Sequence, residues 1–144
     1  MTIKLGRYAV TYVLCVLALM ALAVILDIAA GIELPSGLST VLPVLVAALL
    51  EGQRHARLTG EEISKSDAWK FARQTTLLVV GINLLFIAIF VLVVPDFLAV
   101  FAIIGPVGAL ILATILLVIV LLTNRFFVSK GASGELKSRN KQQG

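Results

Sequence analysis

The chain has 144 residues, 60% of them hydrophobic and 14% charged, with mean hydropathy +1.07 and formal net charge +4. Soluble domains lie near about 45–50% apolar and about 25% charged, so this composition excludes an ordinary globular domain and marks an integral membrane protein. A single cysteine, Cys15, excludes an intrachain disulfide and CxxC redox chemistry.

The basic residues fall in three clusters: Lys4 and Arg7; Arg54 to Arg73; and Arg125 to Lys141. Short loops rich in Lys and Arg stay on the cytoplasmic side of a membrane. The pattern therefore predicts an all-α integral membrane four-helix bundle with both termini cytoplasmic (N-in/C-in), short external loops and one longer cytoplasmic loop. Residues 1–128 form the bundle in this reading, and 129–144 a disordered tail rich in Gly, Ser, Lys and Gln. The three acids Asp27, Glu33 and Asp96 fall on the outer side. The expected neighbour of the basic side is an anionic cytoplasmic leaflet. Nucleic acid is not expected, because no aromatic platform lies between the cations.

Span one is Tyr8 to Leu26, uncharged and just long enough to cross a core of about 30 Å. Ala21-Leu22-Ala23 imitates a leader cleavage site, but the apolar run continues beyond it, so a retained helix is expected. Asp27 to Ser39, with Gly31, Pro35 and Gly37, reads as an external loop. The second apolar run, Leu38 to Leu50, covers only about 20 Å. Either it continues to Leu58 with Gly60 as C-terminal cap, a span of about 38–58, or it re-enters from one side. Pro43 is expected to bend it.

Ser64-Lys65-Ser66-Asp67 is a capping box that starts the third helix, with span three over about 69–94. Trp69 falls at headgroup level beside Lys70 and Arg73. Pro95-Asp96 reads as a tight external turn. Span four, Phe97 to Thr123, exceeds the core and is expected to kink at Pro106, with Arg125, Phe126 and Phe127 as an interfacial anchor.

Few residues stand out as functional. Gly105, Ala109 and Ala113 recur every four residues, giving a smooth stripe for a helix interface within the bundle or with a partner. Asn83 near mid-span needs a hydrogen-bond partner, either an interhelical bond or the lining of a transport path. Glu51 carries Arg54 and His55 at i+3 and i+4, which is either an ordinary charged helix exit or an ion pair or proton relay at membrane depth. His55 without Cys, His or acid at ligand spacing supports no metal site. Asp27 and Asp96 lack the Asn, Ser or His neighbours that carboxylate catalysis requires. No enzyme activity and no cofactor are expected.

Glu51-Gly52-Gln53-Arg54 at the end of helix two, followed by Ala68-Trp69-Lys70-Phe71-Ala72 and Thr75-Thr76-Leu77 opening helix three, resembles a family of uncharacterised small four-helix bacterial inner-membrane proteins. The motifs cover Leu49 to Leu78, and the resemblance implies four spans and a bacterial inner membrane without implying an activity. A second likeness is to the membrane assembly subunit encoded with bacterial ATP synthases, on Leu42-Pro43, the basic exit at Arg54-His55 and the Trp-led third helix. The sequence thus leads to the expectation of a non-catalytic accessory or assembly subunit, associating with other membrane subunits or with itself. The alternative is a small oligomeric channel or transporter.

Overall fold

The computed structural model describes residues 4–32, 36–94 and 97–143, and every regular element within them is α-helical. The helices are α1 (Leu5–Ala30), α2 (Ser36–Thr59), α3 (Lys65–Val93) and α4 (Phe97–Gln143). Three of them, α1, α3 and the part of α4 from Ile103, are long and apolar enough to cross a membrane. The apolar stretch of α2 stops at Glu51, which leaves that helix short of the same criterion. Glu33, Pro35, Pro95 and Asp96 lie outside the described residues, and with them the expected Pro95-Asp96 turn.

Local signals place the helix ends. Gly31 adopts a left-handed φ of 62° and donates to Asp27 O at 2.9 Å, closing α1 with the αL capping motif, while Ile32 N–H reaches Leu26 O. Gly60, at φ 72°, donates to Ala56 O at 2.8 Å and ends α2 as the sequence anticipates. Ser64 caps α3 by accepting from Asp67 N at 3.1 Å. In α4 the break falls on Gly105 (φ 71°, ψ 164°), one residue before the expected Pro106. Proline disfavours the helical region for its predecessor, and only glycine enters this region of positive φ readily.

Contacts fix the relative directions. Arg7 near the start of α1 meets Glu51 near the end of α2, so these two helices run oppositely. Tyr8 and Tyr12 of α1 meet Phe71 and Asn83 of α3, so those two run together. Gly52 of α2 faces Val128 of α4, and Arg57 faces Glu135, so α2 and α4 also run together. Alternating helices therefore bring all three basic clusters to one end of the molecule.

That end is where the bundle is packed. Tyr8, Tyr12, Val44, Ala47, Phe71 and Val128 form the core, and Tyr8 meets Phe71 edge-on with centroids 5.7 Å apart. The opposite halves of α1, α3 and α4 spread apolar side chains outward, with Ile28 81%, Leu92 86% and Ile103 87% exposed. One expectation is overturned here. The segment expected to be a disordered tail from Ser129 is helix through Gln143, and Gly131 and Ala132 are buried. Polar composition hid two small residues whose burial depends on the neighbouring helix.

Candidate functional site

Three interhelical clamps build the basic end. The first centres on Glu51, buried at 4% exposure because small residues at Ala47 and Ala48 let α2 sink between its neighbours. Its carboxylate accepts a bidentate pair from Arg7, Nε at 2.8 Å and Nη2 at 2.9 Å, and a third bond from Arg54 Nη1 at 3.0 Å. Two forked guanidiniums satisfy most of the lone pairs of a carboxylate withdrawn from water. Arg54 was foreseen as a partner; Arg7, which joins α1 to α2, read in the sequence only as a flanking cation. Among the described residues no bond joins His55 to Glu51: the His55 backbone carbonyl accepts from the Thr59 hydroxyl, and His55 lines the cleft beside Glu51.

The second clamp is a backbone contact. A Cβ at Gly52 would collide with the Val128 carbonyl of α4, and a Cβ at Gly131 would collide with the Leu49 carbonyl of α2. These two glycines set how closely the two helices approach. Beyond them Arg57 donates to both oxygens of Glu135 at 2.8 and 3.1 Å. The Arg57 hydrogen bonds hold the Glu135 carboxyl below the usual carboxylate range. A spacing signal existed for this clamp: Ala48, Gly52 and Ala56 recur every four residues along α2, and all three are buried.

The third clamp is a hydrogen-bond ladder. Tyr8 O–H donates to Asn124 Oδ1 at 2.7 Å, and Asn124 Nδ2 donates to Thr76 Oγ1 at 3.4 Å, which links α1, α4 and α3. One step farther from the basic end, Asn83 Nδ2 donates to Tyr12 Oη at 3.0 Å and to Val79 O at 2.8 Å. Every buried side-chain N or O among the described residues has a partner. Asn83 thus has the partner the sequence required. Tyr8 and Asn124 were missed because each sits just at or beyond the edge of an apolar run.

The interfacial anchors split. Arg125 lies over the Trp69 ring at 4.3 Å, joining the anchors of α3 and α4 by a cation–π contact. Phe126 is exposed and has the Lys130 ammonium 5.4 Å above its ring, while Arg73 is exposed. In the smooth stripe of α4, Gly105 is the kink residue itself, Ala109 is half-buried and Ala113 is exposed.

Two clefts flank the start of α3. One, about 420 Å³, is lined by Arg7, Glu51, His55, Glu61, Glu62 and Asp67, among others. The other, about 610 Å³, lies between α3 and α4. Among the described residues no group of three His, Cys, Asp or Glu side chains is placed to hold a metal. Clamps, exposed apolar halves and two clefts at one end define a helical protein with three helices fit to cross a membrane. The chain matches no family model, no curated protein and no solved structure.

Proposed function

We propose that the chain is a four-span bacterial inner-membrane protein, with both termini and the α2–α3 loop cytoplasmic. In this reading it acts without catalysis as an accessory or assembly subunit of a larger membrane complex. The observation that carries the proposal is the division of the molecule. Its buried polar groups are matched within the chain, whereas the apolar halves of α1, α3 and α4 have few neighbours of their own.

A transport path would need polar groups from separate helices facing one wet cavity. Asn83 is instead bonded to Tyr12, and Glu51 is held by Arg7 and Arg54. The cleft beside Glu51 is lined only from the basic end and does not include Asn83. The exposed halves, including Ala113 on the smooth stripe, supply the surface through which a partner subunit would be met.

Purification in mild detergent followed by mass spectrometry tests the role: the chain is expected within a larger assembly, and recovery only as itself would remove the accessory reading. Reporter fusions at Gly60 and Gly144 test the orientation, with cytoplasmic signals expected at both.

A further inference from the structure

We infer that the cleft between the start of α3 and the middle of α4 is a binding site for the anionic headgroup of a phospholipid. The inference rests on the proposed membrane orientation, and its observations concern charge and shape.

On the other side of the basic end Arg7, Arg54 and Arg57 each have a carboxylate partner within the chain: Arg7 and Arg54 share Glu51, and Arg57 pairs with Glu135. Lys65, Arg125 and Lys130 all line the α3–α4 cleft, and among the described residues none of them has a carboxylate partner. Among the described residues its lining contains no acid, whereas Glu61, Glu62 and Asp67 line the cleft on the opposite side of α3. Around the start of α3 the acids Glu61, Glu62 and Asp67 and the bases Lys65, Arg125 and Lys130 therefore line separate clefts, and the α3–α4 cleft keeps an uncompensated positive charge.

Shape agrees with an amphiphile. The cleft measures about 610 Å³, within the range of about 300–1,000 Å³ typical of small-molecule sites. Its cations stand beside Leu122 and Phe126, which continue into the exposed apolar face of α4. A headgroup phosphate can lie against Lys65, Arg125 and Lys130 while the acyl chains follow that face. The Ser129 and Ser133 hydroxyls donate to backbone carbonyls one turn earlier, which leaves their oxygens as acceptors for a glycerol-type headgroup. Basic pockets between membrane helices on the cytoplasmic side bind anionic headgroups by this combination.

Trp69, the only tryptophan, is stacked on Arg125 and reports on the cleft. Full-length protein is reconstituted in nanodiscs with increasing fractions of bromine-labelled phosphatidylglycerol or phosphatidylcholine, and quenching of Trp69 is followed. Quenching by the anionic lipid is expected to saturate at a low mole fraction. The double variant Lys65→Gln with Lys130→Gln, which leaves the Trp69–Arg125 contact in place, is expected to need about tenfold more of it. The double variant Lys137→Gln with Lys141→Gln, which removes the same two charges at exposed positions outside the cleft, serves as the charge-matched control and should leave the curve unchanged. Equal quenching by the two lipids, or a double variant identical to the parent, would overturn the site while leaving the membrane reading intact. Displacement of the lipid by millimolar inorganic phosphate would overturn the assignment to a lipid in favour of a free phosphate. Absence of quenching by either lipid would overturn the membrane reading together with the site.

Discussion

The basic end and the opposite half of this molecule are built from similar apolar helices, yet only one of them is held together. At the basic end Gly52 and Gly131 bring two backbones into contact, and the side chains of Glu51, Asn124 and Tyr8 are tied across helices. In the opposite half, Ile28, Leu92 and Ile103 point away from the bundle. Leucine and isoleucine gain little by meeting one another when lipid tails are equally apolar. Close backbone approach and satisfied polar pairs decide which surfaces associate; between the chain's own helices they lie at the basic end, and in the proposed reading the small residues Ala109 and Ala113 offer the opposite half's close approach to a partner.

The largest effect expected from breaking that contrast is at the glycines. Gly52→Val should destabilise the bundle by about 3 kcal/mol, the upper end of the usual overpacking range, because the obstruction is the Val128 backbone, which cannot rotate away. Gly81→Ala, where nothing stands within 4 Å of a new Cβ, should be neutral or stabilising by up to about 1 kcal/mol through helix propensity. Unfolding of both variants in mixed detergent–SDS micelles reads the difference, and equal losses would show that backbone approach at Gly52 is not what holds α2 to α4.

Next in size is Glu51→Ala, which leaves Arg7 and Arg54 facing each other without a carboxylate. Removing one member of a buried ion pair costs about 3–5 kcal/mol. With both guanidiniums about one-third exposed, a loss of about 2 kcal/mol is expected in the same assay. A loss no larger than that of an exposed substitution would show that the clamp joins α1 and α2 without stabilising them.

A smaller effect belongs to the ladder. A double-mutant cycle of Tyr8→Phe with Asn124→Ala should give a coupling of about 0.6 kcal/mol and no more than about 1.7 kcal/mol, the range for hydrogen bonds within membranes. Coupling indistinguishable from zero would make the 2.7 Å bond a consequence of packing and not one of its causes.

The smallest effect is a matter of pH. Glu135 has a lowered pKa in the folded protein, so its pairing with Arg57 stabilises the docked end of α4 above the unfolded carboxyl pKa and loses that effect as pH falls through the folded value. Protection of the amides of residues 132–141 against exchange, measured relative to the unfolded chain at the same pH, should therefore fall in acid, below the ordinary carboxylate pKa of about 4.5. Arg57→Gln should flatten that dependence, and an unchanged profile would assign it to another group.

Much of the frame follows from the sequence alone. Of the four spans expected from the sequence, α1, α3 and α4 are long and apolar enough to cross a membrane and the second is not. Local chemistry placed helix ends where backbone geometry demands it, closing α2 at Gly60 by left-handed capping and opening α3 at Ser64 by side-chain capping. Such features depend on neighbours within a few residues, so one chain read in order reveals them. Glu51 could be singled out the same way, since Arg54 lies one helical turn away.

Only the tertiary structure decided what those elements do to one another. It gave Glu51 its bidentate partner from a residue 44 positions distant, and it joined Tyr8 to Asn124 across 116. Residues 129–143 became helix because Gly131 found the α2 backbone, a reason that polar composition cannot express. The smooth stripe through Ala113 was equally legible but lies on the exposed half, whereas the buried stripe of the same spacing is Ala48, Gly52 and Ala56. Spacing reveals that a helix surface is smooth, but a contact needs a second surface of matching shape, and that match exists only once the chain has folded.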